Sequence, residues 1–102
     1  MAESPETLIQ RQLDAYNARD IEAFMECWAE DCRYHAFPDQ LLAEGAQAVR
    51  ERHVLRFREP HLHGRLINRI VSGDFVVDQE VAEGKIVKAW FRMGQPRIVA
   101  VK

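Results

Sequence analysis

Apolar positions recur at two spacings, and the change divides the chain. From Ser4 to about Arg58 they fall three and four residues apart; from His61 onward they alternate. Ser4-Pro5-Glu6 reads as a helix start, with serine at the N-cap, proline at the first helical position and an acid in the first turn. Ile9, Gln12, Leu13 and Tyr16 then share one face, and Asn17-Ala18-Arg19 closes the helix. Asp20 is placed to cap a second helix with a stripe of Ile21, Phe24, Met25 and Trp28, so the two helices predict an αα-hairpin. Glu30-Asp31 stops the second helix. Cys32 to Phe37 is a short β-rich run ended by Pro38-Asp39. Gly45 precedes a third helix over Ala46–Arg58, with Val49, His53 and Phe57 one turn apart on its inner face.

The alternating half predicts strands over His61–Ser72, Phe75–Glu83, Lys85–Met93 and Arg97–Lys102. They are separated by Gly73-Asp74, Gly84 and Gly94-Gln95-Pro96. The order α-α-β-α-β-β-β-β predicts an α+β fold, in which one curved antiparallel sheet wraps around three N-terminal helices and leaves a cone with an apolar mouth. In the second of these strands, Phe75, Val77, Gln79 and Val81 read as the buried face. Asp78 and Glu80 then fall on a solvated or dimer face, where Arg65, Arg69 or Arg92 would have to pair them.

At 102 residues, 47% hydrophobic and 29% charged, residues 1–102 are expected to form a single globular domain. No apolar run reaches the roughly 18 residues of a membrane span. The N-terminal segment lacks the basic and apolar regions of a signal peptide. Cys27 and Cys32 therefore read as free thiols, and the expected location is cytoplasmic, with no membrane partner. Charge is uneven: residues 1–48 carry three arginines against ten acids, residues 49–102 eleven basic side chains against six acids. The basic density at Arg50, Arg52, Arg56, Arg58, Arg65 and Arg69 is read as a solvated helix face plus an interface. With a pI near 6.1, no nucleic-acid partner is expected. There is no phosphate-cradling glycine loop, no nucleophile elbow and no dinucleotide fingerprint. His61-x-His63 puts two imidazoles on one side of a strand, but no third-ligand motif accompanies them. Neither a metal nor a cofactor is expected.

Three segments, YNARDIEAFMECWAEDCRYH, LLAEG before the third helix, and PHLHGRLINRIVSGDFVVDQE, resemble the nuclear transport factor 2-like superfamily. They are most similar to its SnoaL-like and steroid Δ-isomerase-like branch. The resemblance implies a cone-shaped, cystatin-like roll with a hydrophobic pocket and a homodimer formed through the sheet. Trp90 and Ile86, alternating with Lys88 and Arg92, fit such a dimer face. The last strands can be registered two ways. KIVKAWF could be the family's final strand, or KAWFRMGQPRIVAVK could be its final hairpin; the second keeps the strand count.

The resemblance does not imply one activity, because members isomerise steroids, cyclise polyketides, hydrate, dehydrate or only bind. Steroid isomerisation needs a carboxylate base with a tyrosine and a protonated aspartate around the enolate oxygen. Those positions match Ala36 or Phe37, Gln12 and Ala89, so ketosteroid isomerisation is not expected. The substitute acid–base candidates are His35 as proton shuttle, with Gln12 or Tyr16 as hydrogen-bond donor, and then Asp78. The expected pocket lining is Phe24, Trp28, Phe37, His53, Phe57, Val77, Ala89, Phe91 and Met93, with His53 read either as a pocket group or as a satisfied core histidine. The expectation is a small-molecule binding domain for a planar or terpenoid-like apolar ligand. If catalytic, it would be a cofactor-free isomerase, cyclase or lyase. The alternative is a non-catalytic homodimeric interaction module.

Overall fold

The computed structural model describes residues 3–36, 40–82, 84–94 and 98–101. Its elements run α1 (Pro5–Ala18), α2 (Ile21–Met25), β1 (Trp28–Ala36), β2 (Gln40–Glu44), α3 (Ala46–Arg56), β3 (Gly64–Ser72), β4 (Phe75–Ala82), β5 (Lys85–Met93) and β6 (Ile98–Val101). The strands form one sheet in the order β2-β1-β6-β5-β4-β3. Its pairs are antiparallel except for β1 with β6, which run parallel. The fold is α+β: α1 packs on β3 and β4, α3 on β1 and β2, and α2 bridges the two longer helices.

Local chemistry explains the helix ends. Ser4 Oγ accepts the Thr7 N–H at 3.2 Å, and Pro5 occupies the position where a missing N–H costs nothing. Arg19 ends α1 in the left-handed region at φ 57°, a conformation that costs a non-glycine residue about 1 kcal/mol. Its guanidinium offsets that cost by donating to the carbonyls of Glu59 (2.6 Å) and Leu62 (3.1 Å), which tethers the loop ahead of β3. A second tether is reciprocal: Asn17 Nδ2 donates to the Gly64 carbonyl, and the Gly64 N–H donates to Asn17 Oδ1, both at 2.8 Å. Asp20 caps α2 by accepting the Ala23 N–H at 3.1 Å.

Several elements differ from the sequence expectation, and the third helix ends at Arg56, two residues before the expected Arg58. The second helix stops at Met25, and Trp28 already belongs to β1, because the Cys27 carbonyl is taken by the Ile98 N–H (2.9 Å) of β6. Sheet pairing thus outweighs the helical stripe, and Glu30 and Asp31 lie exposed within a strand instead of breaking a helix. β2 is an additional strand, too short to show an alternating pattern, since Leu41, Leu42 and Ala43 follow one another between Gln40 and Glu44. β3 starts at Gly64, where the Asn17 tether begins, and His61–His63 precede it as turn and loop. β5 and β6 pair as a final hairpin, with Phe91 opposite Val101 and Met93 opposite Ile98. β3 carries a bulge between Leu66 and Asn68.

The core lies between the helices and the inner face of the sheet. Leu8, Ile9, Phe24, Cys27, Cys32, Val49, Val76 and Ile98 are fully buried there. Each large apolar side chain among them contributes roughly 1.5–3 kcal/mol. Burial also pushes the Cys32 thiol up to about 11, so it behaves as a small apolar group and not as a nucleophile. No helix among the described residues is long and apolar enough to cross a membrane.

On β4 the inner face is the reverse of the one expected. Val76 and Asp78 are buried, whereas Phe75 is exposed and Val77 only half-buried on the outer side. The pairing enforces this: Asp78 stands opposite Ala89, and Ala89, Phe91 and Met93 face the helices. Residues directly opposite in an antiparallel pair share a face.

Candidate functional site

A cavity of about 320 Å³ opens between α1, α3 and the inner face of β4 and β5. Its apolar floor comes from Leu13 of α1, Phe24 of α2, Trp28 of β1 and Phe91 of β5. Gln12, Tyr16, Tyr34, His53, Arg56, Glu80, Lys85 and Lys88 supply the polar groups. A wider hollow of about 910 Å³ lies outside, lined by Leu55, Glu59, His61, His63 and Arg65 among others. These five side chains are all solvent-exposed, so it is an open surface depression.

His53 is the most enclosed polar group of the cavity wall, at 1% exposure. Its ring lies among Tyr16, Phe24, Trp28, Tyr34 and Phe57, with the Phe24 centroid 4.6 Å away. Its Nδ1 sits 2.9 Å from the Val49 carbonyl, one turn earlier. A carbonyl can only accept, so Nδ1 carries the proton and Nε2 keeps its lone pair. Burial is the main cause that lowers the His53 pKa, to about 4, and the neighbouring Arg56 and Arg52 charges act in the same direction. The ring is therefore neutral at pH 7.

Asp78 and Glu80, two residues apart on one face of β4, have opposite surroundings. Asp78 is 0% exposed, and both its oxygens are held by the Arg69 fork, Nε at 2.7 Å and Nη2 at 2.9 Å. Arg69 Nη1 donates onward to Gln10 Oε1 at 2.9 Å, which ties the pair to α1. This carboxylate is saturated, and it does not line the cavity. Glu80 does line it, and no hydrogen bond or ion pair within the described residues claims its carboxylate. Desolvation, followed by the charge of Asp78, raises its pKa above the ordinary carboxylate value, with Arg69 opposing. Gly64 provides the space: a Cβ at that position would stand 2.5 Å from Glu80 Oε1 and 3.3 Å from Leu13 Cδ1.

The other expected residues are distributed as follows. Gln12, Tyr16, Phe24, Trp28, His53, Ala89 and Phe91 line the cavity together. Phe57 packs behind it against Tyr16 (5.7 Å) and Phe24 (5.5 Å), and Met93 is buried in the core. Val77 is not part of the lining, for the strand parity given above. Phe37 lies outside the described residues. His35 also does not line the cavity; β1 turns Tyr34 toward it, and the strand register shifts between Tyr34 and His35. Glu80, Tyr34 and Arg56 were not among the expected site residues. Tyr34 stacks under Arg52, whose guanidinium carbon is 5.5 Å from the ring centre, and burial raises its phenol pKa. The signal for Glu80 was an acid two residues from Asp78 on a strand whose partner carries Ala89 and Phe91.

The sequence profile of the SnoaL-like domain family matches residues 9–100. No protein of curated function matches the sequence. Among solved structures, an uncharacterised cystatin-fold protein from Novosphingobium aromaticivorans superposes with a TM-score of 0.87 at 20% identity, covering 97% of this chain and 96% of that one. A proposed polyketide cyclase from Sinorhizobium meliloti gives 0.80 at 17% identity, covering 97% of each chain. A proposed ketosteroid isomerase from Kribbella flavida gives 0.77 at 15% identity, covering 98% of this chain and 76% of that one. At these identities the likeness is one of fold.

Proposed function

The chain belongs to the SnoaL-like domain family, and on that premise we propose that it binds a small ring-shaped apolar molecule in the cavity and moves a proton on it with Glu80. The observation that carries this reading is the Glu80 carboxyl: on the cavity wall, partly desolvated, raised in pKa and claimed by no hydrogen bond among the described residues. A carboxylate with raised proton affinity, placed against an apolar floor, is suited to take a proton from carbon next to a carbonyl. Tyr16, Tyr34 and Gln12 supply donors on the same wall for the oxygen of the resulting enol. Proton transfer of this kind is shared by isomerases and by cyclases that close rings through enolates. The three positions of the steroid-isomerase machinery are filled differently here, with Gln12 and Ala89 on the cavity wall, so ketosteroid isomerisation is not part of the proposal.

The test is exchange of the C2 protons of 1-indanone for deuterium in D2O at neutral pD, followed by NMR. Glu80 takes a C2 proton, the enol oxygen is held by the phenols, and deuterium returns from solvent. The expected result is catalysis by the wild type, with a loss of about a hundredfold in Glu80→Gln. Exchange unchanged in that variant would remove Glu80 from the role.

Assembly through the sheet is a second reading, favoured by the outer face. Ile70, Phe75, Ile86 and Trp90 are exposed there, with Trp90 at 50%, and Ile70, Val77 and Trp90 form one cross-strand row. A contiguous apolar surface rimmed by Lys88 and Arg92 is the kind that a second copy covers. Sedimentation at tens of micromolar should give the dimer mass, and Trp90→Glu should give the monomer. A wild-type monomer at that concentration would reject the assembly.

A further inference from the structure

The charge of the cavity wall is opposite in sign to that of the chain. Its lining carries three cationic side chains, Arg56, Lys85 and Lys88, against one acid among the described residues, Glu80, whereas the whole chain has a formal net charge of −2. Two of these cations stand at the mouth. Arg56 lines both the cavity and the outer hollow, so it lies where the two meet. Lys85 is exposed, beside the Gly84 turn and opposite Ala82, and the Glu80–Val87 pair lies one pleat repeat further in. The floor residues Leu13, Phe24, Trp28 and Phe91 are all buried. The cavity thus grades from cations at its mouth to apolar groups at its floor. Arg56 also reaches across to α1, where its Nη2 donates to Tyr16 Oη at 3.3 Å. A guanidinium accepts nothing, so the phenol hydrogen points elsewhere, and no described residue accepts it. A cation and an uncommitted O–H donor therefore sit side by side on the wall.

We infer that the cavity takes a ring-shaped acid, with its carboxylate held at the mouth by Arg56 and the Tyr16 O–H and its ring on the apolar floor. This rests on the proposed reading of the cavity as a site for a ring-shaped ligand and narrows that ligand to an anion. Gln12 and Tyr34 then remain as donors to an enol oxygen. The two oxygens of a carboxylate match one guanidinium and one phenol, and Lys85 adds attraction at the rim. At a mouth open to water the carboxylate keeps part of its hydration, so the cost of burying a charge is only partly incurred. The local field has the required sign. Burial dominates the proton affinities of Tyr34, which is raised, and His53, which is lowered; beside it, Arg56 and Arg52 act on both as positive charges.

The test is titration calorimetry at pH 7 with 2-naphthoate and its neutral isostere 2-naphthamide. The inference expects 2-naphthoate to bind about tenfold more tightly, the size of one charge-assisted hydrogen bond at a wetted site, and the difference to shrink in concentrated salt. In Arg56→Gln, 2-naphthoate should lose about tenfold in affinity, while 2-naphthamide changes by less than about twofold. In Arg65→Gln, altered in the outer hollow alone, both should bind as they do to the wild type. A wild type that binds the amide as tightly as the acid, or more tightly, would overturn the inference and leave the apolar cavity standing. No binding of either compound would overturn both. Unchanged 2-naphthoate affinity in folded Arg56→Gln, or an equal loss in Arg65→Gln, would place the anion elsewhere and overturn the assignment. If Arg56→Gln does not fold, Tyr16→Phe decides: the preference for the acid should fall by about threefold, and an unchanged preference would overturn the inference.

Discussion

Two neighbouring positions on the inner face of β4 put the same chemical group to opposite uses. At Asp78 a carboxylate is fully buried, and every oxygen is matched by a guanidinium that is itself anchored to α1. At Glu80, one pleat repeat further along, a carboxylate is half-buried beside a glycine and matched by nothing within the described residues. The first arrangement fixes where α1 sits on the sheet. The second leaves a titratable group at a wall where a ligand can reach it. Burial alone therefore does not mark a functional acid; what distinguishes the two is whether the fold has already used the lone pairs.

The sharpest way to break this contrast is to disrupt the Asp78 position. Arg69→Ala leaves a buried carboxylate without its partner and should cost about 3–5 kcal/mol in urea denaturation, a loss typical of half-removed buried pairs. A cost below about 1 kcal/mol would mean that the pair is not structural. The next largest effect concerns His53. Its folded pKa of about 4 lies below the ordinary 6.5, so the unfolded chain binds the proton more readily. The stability it contributes is full above pH 6.5 and is lost as pH falls from 6.5 toward 4, by up to about 3 kcal/mol. His53→Phe should flatten that part of the stability profile; an unchanged slope would place the titration elsewhere.

Two smaller effects concern the Glu80 position. Gly64→Ala places a methyl group where Glu80 Oε1 lies, and the long side chain can swing away. Stability should fall by about 1 kcal/mol or less, whereas 1-indanone exchange should fall by about tenfold. Equal exchange rates would show that the carboxyl position does not matter. Glu80→Gln should leave the fold slightly more stable at pH 7, by less than about 1 kcal/mol once solvent screening is allowed for. The sign follows from a raised folded pKa: the protonated acid is favoured in the folded state, so stability declines as pH rises through the carboxylate range toward that raised value. The variant should lose this decline, and circular-dichroism melts at pH 4.5 and 7 would reveal it.

Much of the architecture was legible in the sequence. The Ser4-Pro5 start, the Asp20 cap and the turns at Gly73 and Gly84 (φ 59° and 76°) are local signals whose chemistry needs no tertiary partner. Trp28 in β1 and the whole of β2 were not legible, since their pairing partners lie elsewhere in the chain. Trp28 is opposite Ile98, and Ala43 is opposite Tyr34. The site was half legible. Gln12, Tyr16 and His53 follow from helical periodicity, whereas Glu80 required the strand faces. The means to assign those faces were in the chain: the turn at Gly84 sets Ala82 opposite Lys85 and hence Asp78 opposite Ala89. Val77 and Ala89 cannot then share a face, and choosing Ala89 brings Glu80 inward with it. His35 misled because an imidazole is a stronger chemical cue than strand parity.

The bulge between Leu66 and Asn68 has a consequence for how molecules meet in concentrated solution. β3 is the last strand of the sheet, and Ile67, Ile70 and Val71 lie exposed along it. A straight outer strand of that composition would offer a regular row of free N–H and C=O groups to any extended chain, the starting geometry of fibrous aggregation. The bulged residue is Ile67 itself, so the row is interrupted at one of its apolar positions, and a docking strand would lose register there. Arg65 and Asn68 flank the interruption and add charge and polarity on either side. The outer face of the sheet stays available for ordered pairing of folded molecules, while the strand edge beside it resists open-ended growth.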